Sequence, residues 1–248
     1  MKRIISSLLL VAIVMCCHAR TLVVFYSFTN NVRTIVEDLQ TQITCDVLEV
    51  EPAEEGLDYA ANNYAIGSAL IAAIRANPDS ASSYPAIKTT IDNLSDYSTV
   101  IVATPLWWSN MAAPMQTFLF TYGSQMAGKN IGLIVSSASS GISGVVSDAK
   151  RLIPDGNFYT TNLWIRSAQT SNCHTLLADW LTTISYQDFT PGDVNGDGDV
   201  NVNDVTSLID IILGGYTDDY NAAAADLDSN GEIGLSDVTL LIDLILGQ

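Results

Sequence analysis

The sequence predicts an α/β domain on a doubly wound, five-stranded parallel sheet, followed by a small all-α unit made from a duplicated loop–helix. Three observations lead there. Dense β-branched and aromatic runs recur between Arg20 and Thr190 with helical periodicity between them, as for strands covered on both faces. The acids are unevenly placed: Pro191 to Gln248 carries 12 Asp/Glu and no Lys or Arg, whereas Arg20 to Asp188 carries 15 acids against 8 bases. Within the acidic tail, one loop pattern returns 33 residues on with a similar apolar helix behind it.

The 248 residues suffice for a medium domain plus a smaller one, and a hydrophobic fraction of 48% excludes a wholly disordered chain. A formal charge of −17 disfavours nucleic acid or an anionic membrane as partner, since both require a positive footprint.

Residues 1–19 read as an export signal: Lys2 and Arg3 precede the ten-residue apolar run Leu8 to Cys17, and Cys17-His18-Ala19 offers small residues for cleavage. That run is shorter than the ~20 residues a membrane span needs. Lipid attachment at Cys16 or Cys17 is the alternative. The mature chain then begins near Arg20 and is secreted or held at the cell surface. It retains Cys45 and Cys173, either a disulfide, which export permits, or two apolar core residues.

Thr21 to Ser27 is the first buried strand, and Asn30 or Asn31 caps a helix with Val32, Ile35, Val36 and Leu39 on one face. A second strand spans Ile43 to Val50. Glu51 to Ser95 is helical around Tyr64 to Arg75 and broken by Pro78 and Pro85. Thr99 to Thr104 forms a third strand, with a helix from about Ala112 to Thr121 that carries Pro114 in its first turn. Ile131 to Ser137 is the fourth, before a Ser/Gly loop and a helix near Val145 to Leu152. Gly156 to Ile165 supplies the last strand and Cys173 to Ile184 the last helix.

Doubly wound sheets bind ligands beyond the C-terminal ends of their strands. Strand one ends in Ser27-Phe28-Thr29-Asn30-Asn31, strand three in Pro105-Leu106-Trp107-Trp108-Ser109-Asn110, and strand four in Ser137-Ala138-Ser139-Ser140-Gly141. The first loop puts hydroxyls and backbone N–H groups at a helix N-terminus, suited to an anion, though a cap and a surface turn use the same residues. Paired tryptophans suit stacking on a flat ligand, or packing beneath the next helix; one inward and one outward reconciles the two. The third loop lets a ligand approach the backbone, or is a plain turn. No acid–base apparatus competes: His174 is the only histidine after residue 19, and neither G-x-S-x-G nor G-x-G-x-x-G occurs.

These residues resemble the flavodoxin-like family, notably its single-domain bacterial branch with paired Trp in the second loop. The likeness covers about Thr21 to Ile184 and rests on Phe25 to Val32, Thr104 to Trp108, Thr117 to Leu119, Gly128-Lys129 and Ser136 to Gly141. It implies strand order 2-1-3-4-5 and an FMN cofactor. By it, Ser27, Thr29, Asn30, Asn31 and Val32 hold the phosphate. Pro105, Leu106, Trp107 and Trp108 flank the ring on one side, and Ser137, Ala138, Ser139, Ser140 and Gly141 on the other. Where the family carries Thr-Gly-Asn-Thr, this chain has Thr29-Asn30-Asn31-Val32, and Asn tolerates a left-handed backbone better than most residues. The implied function is electron transfer with a redox partner. The alternatives are a flavin-dependent NAD(P)H:quinone-type oxidoreductase, or a cofactor-less relative acting through the tail.

In the tail, Asp193, Asn195, Asp197, Asp199, Asn201 and Asp204 fall at positions 1, 3, 5, 7, 9 and 12 of a loop turning at Gly198. Alternating oxygen ligands around a glycine suit Ca²⁺. In the second copy, Asp226, Asp228, Asn230, Glu232 and Asp237 occupy positions 1, 3, 5, 7 and 12, and Val200 and Ile233 at position 8 pack between loops. Two Ca²⁺ ions would bring the formal charge toward about −13. The repeat resembles a dockerin module over Gly192 to Gly247, which implies a cohesin domain as partner. By that likeness Val205, Thr206 and Leu208, with Val238, Thr239 and Leu241, form the docking face. The division expected is a signal at 1–19, the flavodoxin-like domain at 20–190 and the dockerin-like module at 191–248.

Overall fold

A computed structural model of the chain describes residues 20–247 except 55, 60, 187, 188, 216–219 and 229. The expected export signal lies outside the described residues. The chain separates into two compact units between Thr190 and Pro191.

The first unit is a parallel sheet in the order β2-β1-β3-β5-β6, with β1 Arg20–Phe25, β2 Asp46–Glu49, β3 Tyr97–Trp107, β5 Asn130–Ser137 and β6 Asn157–Phe158. β4 (Asn110–Met111) turns back antiparallel on β3, and β7 (Leu163–Arg166) continues beside β5. The order is the expected one.

Alternation along the strands assigns residues to two cores, one on each face of the sheet. Leu22, Val24, Val100, Val102 and Leu133 join one cluster with α2 (Ala61–Ala76), α3 (Ala113–Tyr122) and α4 (Ser143–Leu152). Val23, Phe25, Ile101, Ala103 and Ile134 join the other with α1 (Asn31–Leu39) and α5 (Cys173–Thr183). Cys45 and Cys173 are not joined in a disulfide, and Cys173 is buried.

The strand limits differ from the sequence reading where burial changes. β2 is an edge strand, so only four residues pair. The expected last strand is split: Asn157–Phe158 and Leu163–Arg166 both pair with β5, and Thr161 between them offers its carbonyl to Trp180 Nε1 at 2.8 Å. β3 runs on past Thr104 to Trp107. Its pairing with β1 ends at Phe25↔Ala103, so Pro105, which has no N–H, stands on a freed edge.

The second unit repeats loop–helix with α6 (Val202–Ile212) and α8 (Leu235–Leu246), joined through the short α7 (Ala222–Ala225). Its core is Val194, Leu208, Ala225 and Leu241, against which Val200 and Ile233 pack. Among the described residues, no helix is long and apolar enough to cross a membrane.

Candidate functional site

β1 leads to β2 on one side, and β3 returns on the other, so strand order reverses between β1 and β3. A cleft of about 330 Å³ lies at that point, beyond the C-terminal strand ends. Its walls include Ser27, Phe28, Thr29, Asn31 and Val32 after β1, Pro105 to Trp108 of β3 and its turn, and Ser136 to Ala138 from β5. Three loops singled out in the sequence therefore meet in one cavity.

At one end stands the N-terminus of α1. Asn30 is left-handed (φ 62°) and its side chain makes no cap bond, so the first turn is not closed by its own cap. Arg33 N donates to Ser27 Oγ at 3.2 Å, and Asn31 Nδ2 to Thr29 Oγ1 at 3.2 Å. Asn30 shapes this loop without itself lining the cleft.

The aromatic wall is denser than expected. Trp107 is 8% exposed and meets Tyr26, Phe28 and Tyr59 at centroid distances of 5.7, 5.8 and 5.0 Å. Trp108 is 41% exposed and lies edge-on to Tyr64 at 6.4 Å. One tryptophan thus points into the core and one to the rim. Tyr59, Tyr64 and Gly67 line the cleft from the segment before and inside α2; they follow no strand, so the strand-end pattern does not reveal them. Ser167, directly after β7, joins the lining from a strand end that the sequence reading did not single out.

Trp107 and Trp108 do not form an open loop. Trp107 pairs with Asn110, and Trp108 (φ 47°) and Ser109 (φ 66°) make a two-residue hairpin turn with both centres left-handed. Neighbours hold this geometry. Arg75 donates to the Trp108 carbonyl and to Asn110 Oδ1, and Asp148 Oδ2 accepts from Asn110 Nδ2 and Met111 N at 2.9 Å each. Gly144 lets the Ser109 carbonyl approach to where a Cβ would stand 1.9 Å away.

On the third side, Ser137 Oγ donates to the Ser140 carbonyl at 2.9 Å and accepts from Trp164 Nε1 at 2.8 Å. The loop folds back on itself: Ser137 and Ala138 line the cleft, while Ser139, Ser140 and Gly141 are exposed outside the lining. The lining includes no Asp, Glu, His, Cys, Lys or Arg among the described residues.

The tail loops are built around their last carboxylates. Asp204 accepts from Val194 N, Asn195 N and Asn201 N, and Asp237 from Leu227 N, Asp228 N and Gly234 N. Burial disfavours the Asp237 anion, but its backbone N–H donors outweigh this and lower its pKa. In the second loop, oxygens of Asp226, Asp228 and Asp237 lie within 4.8 Å of one another. In the first, Asp193 Oδ1 is buried with no hydrogen-bond partner. Burial raises the Asp193 pKa, and nearby Asp204 and Asp197 add to it. An orphaned buried carboxylate oxygen among other acids fits a hard cation. Asp197 and Asp199 lie along the first loop with Asn195, whose Oδ1 accepts from Asp197 N; Asn230 Oδ1 accepts likewise from Glu232 N. Asn201 caps α6 through Asn203 N.

Of the expected docking face, Thr206 and Thr239 are exposed, and the other four positions need correction. Leu208 and Leu241 are fully buried and Val205 and Val238 pack against the same core, because these positions face the seam between α6 and α8. Exposed instead are Val202, Ile209 and Leu213, with Leu235, Ile242 and Leu246 at matching positions. Thr206 and Thr239 lie between them, their hydroxyls donating to the Val202 and Leu235 carbonyls at 3.1 Å.

A doubly wound sheet with its cleft at the switch point defines a protein of the α/β class, here joined to a duplicated loop–helix module. Residues 20–184 match the family described as flavodoxin, and the chain belongs to that family. Residues 191–246 match the dockerin type I domain, so a flavodoxin-fold domain is fused to a dockerin. No curated protein matches. A flavoprotein of Bacteroides eggerthii shares 21% identity over 68% of this chain and 99% of its own, with a TM-score of 0.54, a likeness of fold. A flavoprotein of Bacteroides uniformis shares 19% over 65% and 99%, TM-score 0.49. One from Lactobacillus acidophilus, solved in complex with FMN, shares 18% over 63% and 99%, TM-score 0.49.

Proposed function

We propose that this is an exported FMN-binding electron-transfer protein, tethered by its dockerin to a cohesin-bearing assembly. The observation that carries the reading is the convergence of three strand-end loops on one cleft, with an open helix N-terminus at one end and an aromatic wall at the other.

The residues fit the group. The first turn of α1, which the Asn30 side chain does not cap, with Ser27 and Thr29 beside it, would receive the phosphate through backbone N–H groups and hydroxyls. Asn30, left-handed where the family carries glycine, keeps that turn open. Trp107 and Trp108 with Leu106 would pack against the ring, and Ser137 and Ala138 would bound its other side. FMN, when bound, supplies the redox chemistry. With no charged side chain in the described lining, the protein's part is to bind, orient and exclude water.

In the tail, Asp193, Asn195, Asp197, Asp199, Asn201 and Asp204 would hold one Ca²⁺, and Asp226, Asp228, Asn230, Glu232 and Asp237 a second. The matched stripes of Val202, Ile209 and Leu213 and of Leu235, Ile242 and Leu246 are the surface we assign to cohesin.

The test is titration of the purified chain with FMN. Saturable, equimolar quenching of flavin fluorescence is expected; no quenching overturns the cofactor. Oxidation of NAD(P)H requiring both flavin and an added acceptor would establish the reductase alternative instead.

A further inference from the structure

We propose that Tyr59 is a ligand-orienting residue whose hydroxyl donates a hydrogen bond to a conjugated carbonyl oxygen of a planar ligand in the cleft. The inference rests on the flavin reading above and adds a donor that the strand-end loops do not supply.

Tyr59 is 3% exposed, lines the cleft, and has a hydroxyl oxygen buried without a hydrogen-bond partner. Asp193 and Tyr59 carry the buried orphan side-chain atoms among the described residues; the first sits in a cation loop, the second in the cleft. Leaving a buried hydroxyl unpaired forfeits its hydration without recompense, and native structures rarely tolerate this without a purpose.

The ring has little freedom to turn the hydroxyl elsewhere. It is wedged against Trp107 at 5.0 Å and Phe28 at 6.3 Å, and its backbone is held by a turn in which Ala61 N donates to the Asp58 carbonyl at 3.1 Å. Beyond it, Asn62, Asn63 and Tyr64 are successively left-handed (φ 52°, 58° and 63°), a costly conformation that carries Tyr64 to the same cleft. Burial, reinforced by the negative charge of Glu54, raises the Tyr59 pKa, so the group keeps its proton and acts as a donor. A donor fixed in an aromatic wall meets the edge of a ligand stacked there. An oxygen conjugated with the ring plane is the acceptor such an edge offers.

Two sources present that acceptor: a ring carbonyl of the flavin, or the carbonyl of a quinone-type acceptor beside it. Tyr59→Phe distinguishes them, measured in the full chain by thermal melting without ligand, by FMN fluorescence titration and by the KM for menadione with the FMN-loaded protein and NADPH or dithionite as the electron donor. The expected result is an unchanged or raised melting temperature without ligand, because an orphan has been removed. FMN affinity falling about 5–10-fold, with a shifted flavin absorbance band, identifies the flavin carbonyl. Unchanged FMN affinity with a KM raised by a similar factor identifies the quinone. If neither changes while wild-type protein binds FMN, the inference fails and the flavin reading stands. A lowered melting temperature without ligand also overturns it, since the hydroxyl then serves the fold. Failure of the wild-type chain to bind FMN removes both.

Discussion

At the hairpin tip, Trp108 and Ser109 occupy left-handed conformations that cost about 1 kcal/mol each, and Trp108 is bulkier than that region ordinarily admits. The surroundings over-determine them through Arg75, Asp148 and two glycines. These glycines differ in a way that can be measured. A Cβ at Gly144 would stand 1.9 Å from the Ser109 carbonyl oxygen, backbone against backbone, so Gly144→Ala should destabilise the first unit by about 1–3 kcal/mol in urea unfolding. A Cβ at Gly67 would meet the Trp108 ring at 3.0 Å, and that ring is partly exposed and can yield. Gly67→Ala should therefore change stability little and weaken ligand binding instead. Equal effects of the two on stability would contradict this account. At this scale little was legible in the sequence. Trp107 and Trp108 stand out by type, but Tyr59, Tyr64 and Gly144 acquire roles only through contacts made by distant segments.

Among the elements, the strands legible in advance are those covered on both faces. β1, β3 and β5 form unbroken apolar runs because each has neighbours above, below and to both sides. β2 sits at the edge and the last strand breaks where Thr161 turns to Trp180, so burial does not write their limits into composition. The duplicated loops were equally plain, since oxygen ligands at fixed spacing are a local pattern. Which helix face points outward is not local. Thr206 and Thr239 attract attention by type, yet the outward stripes begin at Val202 and Leu235, 68% and 76% exposed. Apolar side chains so exposed add little to the fold and much to an interface. Val202→Asp with Leu235→Asp should leave the calcium-bound melting temperature nearly unchanged and weaken cohesin binding about 30-fold or more, read by calorimetry. Retained binding would move the docking surface elsewhere on the module.

For the whole molecule, the two units should respond to different stresses. The first buries tyrosines: Tyr26, Tyr59, Tyr97 and Tyr159 have pKa values raised from the usual 10.0, chiefly by burial. A raised pKa favours the protonated form in the folded state. The stability these groups contribute is therefore full below about pH 10 and lost as pH climbs past it. Tyrosinate absorbance should rise in two steps, the later coinciding with loss of tertiary structure. The second unit depends instead on cations. From Pro191 to Gln248 its acids have no Lys or Arg to balance them, and Asp193 holds an unpartnered buried oxygen. Without Ca²⁺ these charges repel, and the apolar core of four fully buried residues is small. Chelation should unfold this unit and leave the other intact. All four tryptophans, Trp107, Trp108, Trp164 and Trp180, lie in the first unit, so the two responses separate without dissecting the chain. Excess EDTA should remove the helical circular dichroism of α6 and α8 while tryptophan emission stays at its native wavelength, and added Ca²⁺ should restore the signal. Helical signal indifferent to EDTA would show that these loops fold without metal. A red shift in tryptophan emission would show that the first unit is coupled to them.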